Sequence, residues 1–261
     1  QKEKDKCEAV MKLCELEEQE IREEYEAGKF LFIAKTNMLK DLERELDVSW
    51  YLNSEFNFSQ FVAISRGLYS GIDVSKYALP EISAKKMNTY KYILNVERRR
   101  GYPANFNFNY NQMNEIEKGL EKGLDVSIYD KEEFNVDQME QIRKGLEKNL
   151  DVSKYAKPEF NASQMNQIRL GLLNNVDISI YAKPEFDAPE MEEIRLGLQD
   201  NLDISIYVNP DFNYKQMEQI RLGLKDNLDV NLYANPKYNW GQMRGFREVL
   251  KTNLESEIKD E

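Results

Sequence analysis

Methionine recurs in this chain at a fixed interval of 26 residues, and this regularity limits the possible folds more than any other sequence feature. The methionines in this register are Met87, Met113, Met139, Met165, Met191, Met217 and Met243. Aspartate follows the same 26-residue register at Asp47, Asp73, Asp125, Asp151, Asp177, Asp203 and Asp229, with one position of the series, Arg99, occupied by arginine. Self-similarity at a fixed interval of about 20–50 residues indicates an array of stacked structural repeats. With Phe61 in the methionine position one interval earlier, the sequence predicts eight copies of one repeat.

The best-formed copy, residues 160–184, carries the signals of a helix start. Asn161 is a favoured N-cap residue, and Gln164 three positions later completes a capping box. Phe160 before the cap and Met165 at the fourth helical position can pack together as a hydrophobic staple. The apolar residues that follow have helical spacing, so we expect each copy to begin with a helix of about 13 residues.

A second set of signals predicts where each helix ends. Glycine and asparagine tolerate the left-handed backbone conformation that commonly closes a helix. These residues stand at the expected end in Gly71, Gly123, Asn149, Asn175, Asn201 and Asn227. Asp151 can then cap a short second helix over residues 152–156, with Asp177 and Asp203 in the same role. The predicted fold is an all-α solenoid of about eight 26-residue helix–turn–short-helix repeats with an N-terminal helical cap.

Glycine also recurs in the middle of the predicted helices, where it costs about 1 kcal/mol relative to alanine. The mid-helix glycines are Gly145, Gly171, Gly197 and Gly223. Because the cost is repeated in copy after copy, we expect the backbone of a neighbouring element to approach each helix closely at this position.

Arginine forms a further column at Arg143, Arg169, Arg195, Arg221 and Arg247. We interpret this column as a structural ladder in which each guanidinium bonds a carboxylate or a helix C-terminus, with the aspartate column as a candidate partner. The alternative is an arginine-lined groove for phosphates, which the acidic residues of the surrounding copies disfavour.

The pattern divides the chain into three segments. Residues 1–52 are predicted to form the N-terminal helical cap and a degenerate first repeat, with a partner-binding arm as the alternative. Residues 53–254 form the tandem array, and residues 255–261 form a charged C-terminal tail. A cap at each end is expected because the terminal repeats of a solenoid must present a polar outer face.

One copy, residues 83–108, departs from the pattern and is called the irregular copy below. Where the other copies read Leu-Asp-Val, it reads three consecutive arginines, and residues 83–104 hold six basic residues and one acidic residue. Guanidinium groups match carboxylates and phosphates in bidentate geometry, which makes this copy a candidate contact for an anionic partner. The alternative is a hinge or packing defect whose arginines are solvated. The candidate contact residues are Lys85, Lys86, Arg98, Arg99, Arg100 and Tyr102.

The residue directly after each N-cap varies between copies and supplies a second candidate surface. Four of the eight copies have alanine or valine there, and the other four have an aromatic residue, Phe58, Tyr110, Tyr214 or Trp240. Tyrosine and tryptophan are favoured anchors at protein interfaces. Tyr110, Tyr214 and Trp240 are therefore candidate binding residues, and covering the neighbouring loops is the equal alternative.

Composition excludes several kinds of active site. The chain has 261 residues and no histidine, which excludes a Ser-His-Asp triad and histidine-ligated zinc. The two cysteines, Cys7 and Cys14, are too few for a four-cysteine metal site, and their spacing suits one face of a helix better than a disulfide. Two unpaired thiols fit a reducing cytoplasm. We expect no cofactor, no metal and no enzymatic activity. The formal net charge is −11 and no stretch is apolar enough to span a membrane, so we expect neither a membrane nor nucleic acid as a direct partner.

The repeated string F-[ND]-x-x-[QE]-M-x-x-I-R-x-G-L resembles the short tandem helical repeats of uncharacterised Firmicutes and mobile-element proteins. The resemblance covers about residues 53–254. It implies a cytoplasmic protein of a bacterial host. A mobile-element origin would imply an anti-defence role, including inhibition of a host nuclease.

The predicted function is a non-enzymatic protein-binding scaffold or adaptor that uses the extended surface of a solenoid. The first alternative is a mobile-element-encoded inhibitor, an acidic decoy that occupies the basic channel of a host nucleic-acid-binding defence protein. The second alternative is nucleic-acid binding through the basic irregular copy. Salt-dependent binding to a basic protein would favour the first alternative, and salt-dependent binding to DNA would favour the second.

Overall fold

The structure is a computed structural model that describes residues 40–41, 44–47, 49–52 and 55–260. These residues contain eight α-helices and no strand, so the predicted all-α fold is confirmed. The helices are α1 (Phe58–Tyr69), α2 (Ala84–Arg100), α3 (Tyr110–Glu121), α4 (Val136–Leu146), α5 (Ala162–Leu173), α6 (Ala188–Gln199), α7 (Tyr214–Lys225) and α8 (Trp240–Asp260). Most of the predicted N-terminal cap, with Cys7 and Cys14, lies outside the described residues.

The chain forms two compact units, Gln1–Met113 and Asn114–Glu261, called unit 1 and unit 2 below. In unit 1, α1 packs against α2. In unit 2, each helix from α4 to α7 packs against the next, which is the successive stacking expected of a solenoid. The repeated methionines anchor this stacking, since the side chains of Met113, Met139, Met165, Met191 and Met217 are completely buried.

The predicted capping boxes are present, and in four of them the glutamine has a second role. In α5 the Asn161 side chain accepts a hydrogen bond from the Gln164 backbone, and the Gln164 side chain accepts one from the Asn161 backbone. The Gln164 Nε2 group also donates to the backbone oxygens of Pro184 (3.3 Å) and Phe186 (2.7 Å) in the linker to the next copy. The Gln164 side chain therefore caps its own helix and also holds the linker that leads to the following helix. Gln60, Gln138 and Gln216 do the same.

The helix ends follow the prediction, and the short second helix is tighter than expected. Gly71, Gly123, Asn149, Asn175, Asn201 and Asn227 all have positive φ angles between 54° and 67°. The predicted five-residue helix after Asp151 is a three-residue 3₁₀ helix, Val152–Lys154. The Asp151 side chain caps it by accepting from the Ser153 backbone N–H at 3.2 Å. Asp177 and Asp203 cap equivalent 3₁₀ helices in the next two copies.

The mid-helix glycines make room for a tyrosine side chain, and the predicted approach of a neighbouring backbone is wrong. A Cβ atom on Gly171 would overlap the hydroxyl of Tyr181 and would lie 2.8 Å from Ile178 Cγ2. Tyr181 is completely buried, and its hydroxyl donates to the backbone oxygen of Gln167 at 3.2 Å. The same tyrosine contact occurs at Gly67, Gly119, Gly145, Gly197 and Gly223. Each glycine lets the 3₁₀ segment of its own copy fold back onto the helix.

Two copies lack this glycine and tyrosine together. The irregular copy has Ile93 and Pro103 at the two positions, and the last copy has Val249 and Lys259. The structure describes no 3₁₀ helix between α2 and α3 and none within α8. The helices α2 and α8 are also the two longest described helices, with 17 and 21 residues. The predicted C-terminal tail is therefore helical as far as Asp260. Each of the six copies with the glycine–tyrosine pair ends its helix and continues into a 3₁₀ helix.

Candidate binding surfaces

The arginine column is a structural ladder, as predicted, but its partners are not the repeated aspartates. Arg143 Nε donates to Glu115 Oε2 at 2.7 Å, across 28 residues of sequence and from one helix to the preceding one. Arg221 bonds Glu193 in the same way at 2.6 Å. Arg169 and Arg195 bond the glutamines at the equivalent positions, Gln141 (3.2 Å) and Gln167 (3.0 Å). These side chains hold neighbouring helices together, and they do not line a phosphate groove.

The last rung of this ladder is open. Gln219 stands 28 residues before Arg247, and Gln219 Oε1 and Arg247 Nε are both buried without a hydrogen-bond partner. Arg247 instead contacts Glu248 at 2.8 Å and Asp226 at 3.8 Å. The final helix is consequently held less firmly by this column than the helices before it.

The aspartate column serves only the 3₁₀ helices. Asp177 Oδ1 accepts from both the backbone N–H (3.0 Å) and the hydroxyl (2.7 Å) of Ser179. These hydrogen bonds hold the pKa of Asp177 below its ordinary value, and the bond from the Ser179 hydroxyl has the larger effect. In the part of the chain that the structure describes, no three His, Cys, Asp or Glu side chains lie where they could hold a metal ion.

The three arginines of the irregular copy extend α2 instead of interrupting it. The helix continues through Arg100 and ends at Gly101, which has a φ angle of 66°. Arg98 Nη1 donates to the backbone oxygens of Ser70 (2.6 Å) and Gly71 (3.5 Å) at the end of α1. Arg98 thereby satisfies carbonyl groups that a helix end leaves without partners. Its role in the structure is partly that of a cap.

The basic candidates of the irregular copy do not form one site. Lys85 and Lys86 lie in the first turn of α2, and Arg98, Arg99 and Arg100 lie in its last turn. At about 1.5 Å of rise per residue, the two groups are roughly 20 Å apart. Lys86 lies over the ring of Tyr90 (5.5 Å), and Tyr102 follows the helix as a half-buried side chain.

The aromatic candidates are exposed, and two of them lie together. Tyr214 and Trp240 begin α7 and α8 and are 39% and 43% exposed. The Lys215 Nζ atom lies 5.8 Å from the Tyr214 ring centroid and 5.4 Å from that of Trp240. This Tyr214–Lys215–Trp240 cluster is called the aromatic cluster below. In unit 1, Tyr110 stacks against Tyr92 at 4.5 Å between ring centroids.

Unit 1 also contains a cavity of about 550 Å³ that the sequence did not reveal. Its lining includes Lys40, Asp41, Arg44, Ser65, Arg66 and Lys91. Four of these six side chains are basic. The sequence did contain a signal at Lys91, which stands at the position of the ladder arginine in other copies. The residue 28 positions earlier is Ala63, whose side chain cannot accept a hydrogen bond from Lys91.

Comparison of the chain with protein-family models, curated proteins and solved structures finds no match. Among the described helices, none has the length and apolar character needed to cross a membrane.

Proposed function

We propose that this chain is a non-enzymatic protein-binding scaffold and that the aromatic cluster of unit 2 is its principal contact. The observation that carries the proposal is the pairing of Tyr214 and Trp240, from adjacent copies, around one lysine on the surface. Tyrosine and tryptophan supply much of the binding energy at protein interfaces, because they bury a large area at a low cost in conformational entropy.

The repeat itself does not require aromatic residues at this position. The equivalent residues are Ala162 in α5 and Ala188 in α6, and both helices begin normally with a capping box. The large side chains of Tyr214 and Trp240 are therefore additions to the repeat. They stand on helices fixed by capping boxes and by buried methionines, so little ordering would be needed on binding.

Replacing both aromatic residues by alanine tests this proposal. The Tyr214→Ala/Trp240→Ala variant should fold, because it restores the alanine of α5 and α6. We expect partner capture from a lysate of the source organism to fall at least about tenfold relative to the unchanged chain, as for loss of an interface anchor. Leu232→Ala is the matched control, since Leu232 is 61% exposed in the same unit but lies outside the cluster. Equal capture by the double variant and the unchanged chain would refute the proposal.

A second candidate function, the acidic decoy, is favoured by the charge of unit 2. Residues 114–261 contain 29 acidic and 19 basic residues, a net charge of −10, whereas residues 1–113 have a net charge of −1. An acidic surface of this size attracts basic partners at long range. If the captured protein is basic and is released by raising the salt concentration while Tyr214→Ala/Trp240→Ala still binds it, the decoy function replaces the scaffold function.

A further inference from the structure

We infer that the cationic cavity of unit 1 binds a small organic molecule through a diphosphate group. This site is separate from the aromatic cluster, and the inference does not depend on the proposed protein-binding function. It rests on the side chains that surround the cavity and on the way the irregular copy departs from the arginine ladder.

The cavity gathers positive charge from three parts of unit 1. Lys40 and Arg44 precede α1, Arg66 lies on α1, and Lys91 lies on α2. Asp41 is the acidic residue of the lining; it is buried and its carboxylate accepts a hydrogen bond from the Ser65 hydroxyl at 3.1 Å. The six residues together carry a net charge of +3 in a chain whose net charge is −11.

Within the described residues, the four basic side chains form no ion pair with a carboxylate. Arg44 lies over the ring of Tyr69, 4.4 Å from its centroid, and Lys91 Nζ is 3.3 Å from Asn88 Oδ1. Burial, followed by the positive charge of Arg66, lowers the pKa of Lys91. Lys91 is half-buried, and Lys40, Arg44 and Arg66 are exposed around it. A half-buried cation usually has an anionic partner nearby, so the gathering of these four cations around an open cavity points to an external anion.

The repeat explains why Lys91 lacks the acceptor that the ladder arginines have on the preceding helix. In unit 2 the ladder cation bonds a Glu or Gln side chain 28 residues earlier, as Arg143 bonds Glu115. The equivalent residue for Lys91 is Ala63, which is buried and has no side-chain acceptor. A cation therefore stands at the ladder position with its structural partner missing and a cavity beside it.

The chemistry of the lining favours phosphate over carboxylate. Two guanidinium groups and two ammonium groups suit the several oxygens of phosphate, and guanidinium binds them in bidentate geometry. A single phosphate monoester carries about −1.5 to −2 charges at pH 7, so two linked phosphates match the net charge of the lining better than one. A cavity of about 550 Å³ has the size of a small-molecule site and leaves room for an organic group beyond the phosphates.

Calorimetric titration of the full chain with inorganic pyrophosphate, ADP and citrate tests the inference. We expect pyrophosphate and ADP to bind at least about tenfold more tightly than citrate, which has a similar charge but only carboxylates. Tighter binding of ADP than of pyrophosphate would show that the organic group also contributes. Citrate binding as tight as pyrophosphate, or no binding of pyrophosphate, would overturn the inference.

Substitutions then locate the site. Lys91→Met and Arg66→Gln should each weaken pyrophosphate binding by about tenfold or more, and Arg66→Lys should weaken it less than Arg66→Gln. Lys85→Met is the matched control, because Lys85 is a basic residue of the same α2 outside the cavity lining. Circular dichroism checks that each variant is folded, and the exposed Arg66 provides a test even if Lys91→Met unfolds. An equal loss in Lys85→Met would indicate general charge attraction and would also overturn the inference.

Discussion

At the scale of single residues, the pairing of a mid-helix glycine with a buried tyrosine ten positions later determines how each regular copy is packed. The tyrosine hydroxyl occupies the space of the missing Cβ atom and donates to a helix carbonyl group, as Tyr181 does beside Gly171. Burial raises the pKa of these tyrosines, to about 12 for Tyr233. The hydroxyl therefore remains a proton donor throughout the neutral range.

We predict that Gly171→Ala destabilises the chain by about 1–3 kcal/mol, although alanine is the better helix former. The added Cβ atom has to displace the Tyr181 hydroxyl and Ile178. Urea denaturation measures the change. Gly245→Ala is the matched control: Gly245 lies in α8 with nothing within 4 Å of an added Cβ atom, so the same substitution should stabilise by up to about 1 kcal/mol there. A stabilising effect at both positions would contradict this account.

We also predict that Glu190→Gln stabilises the chain by about 1 kcal/mol at pH 7. Glu190 closes the capping box of α6, but it has no amide group to donate to the linker as Gln164 does. Burial raises the pKa of Glu190. A raised pKa means that the folded chain binds the proton more readily than the unfolded chain, so the carboxylate costs stability at neutral pH.

The cost of the Glu190 carboxylate shrinks as the pH falls through its raised pKa. The advantage of Glu190→Gln should therefore be larger at pH 7 than in acid, which thermal melts at several pH values would reveal. Glu185→Gln, at an exposed position of the same copy, should have almost no effect. An advantage that stays constant with pH would contradict the assignment.

At the scale of elements, four of the described 3₁₀ helices are capped by an aspartate whose pKa is lowered, chiefly by a hydrogen bond from the serine hydroxyl two residues later. This holds for Asp73, Asp151, Asp177 and Asp203. A lowered pKa means that the carboxylate contributes stability above its unfolded pKa and that this contribution is lost as the pH falls through the folded pKa.

We predict that the triple variant Asp151→Asn/Asp177→Asn/Asp203→Asn is folded at pH 7 and loses stability less steeply as the pH falls below about 4, the ordinary pKa of aspartate. Asparagine caps helices about as well as aspartate but does not titrate. Chemical denaturation across this pH range measures the slope. The same slope in the variant and the unchanged chain would show that other carboxylates control acid unfolding.

The sequence was sufficient to predict the elements but not all of their contacts. The capping box of Asn161 and Gln164 and the left-handed Asn149 are local, so the residues themselves reveal them. The tyrosine contact is not local to the helix: Gly171 shows that space is needed, but not which group fills it. A signal was nevertheless present, because glycine and tyrosine disappear together in the irregular copy and in the last copy.

The partners of the ladder arginines and the cavity escaped prediction for a different reason. The partner of the ladder arginine is Glu in some copies and Gln in others, as Glu115 and Gln141 show, so a search for repeated carboxylates does not find the column. The cavity depends on residues 40–44 lying beside α1 and α2, and the repeat pattern of the array carries no information about that placement. The acidic composition also concealed the local positive charge.

At the scale of the whole molecule, charge is distributed unevenly along the chain. Residues 114–261 carry a net charge of −10, and the exposed ion pairs of unit 2, such as Lys144–Glu140, are of the kind that contributes little to stability. Self-repulsion among like charges opposes the compact state, and added salt screens it. The electrostatic effect on stability in unit 2 therefore comes from the sum of many charges and not from any single contact.

We predict that raising the sodium chloride concentration increases the melting temperature of the chain. Screening should weaken the long-range repulsion more than it weakens the buried Arg143–Glu115 pair and the partly buried Arg221–Glu193 pair. Calorimetric melts at several salt concentrations, repeated with the uncharged osmolyte sucrose as a control for solvent exclusion, test this. A melting temperature that falls with salt would show that surface ion pairs outweigh the repulsion.

In the copies of α4, α5 and α7, the glutamine of the capping box donates to the linker of the following copy, and the ladder arginine bonds the helix before it. The copy of α6 has Glu190 in the glutamine position and keeps only the bond of Arg195 to the preceding helix. Suppose that 26 consecutive residues were removed between equivalent points, such as Ala162 and Ala188. The linker would still receive the hydrogen bonds of the preceding glutamine, and the ladder arginine of the next helix would still have an acceptor on the helix before it. Such copies are interchangeable, so the number of repeats can change while the contacts between neighbouring copies stay the same.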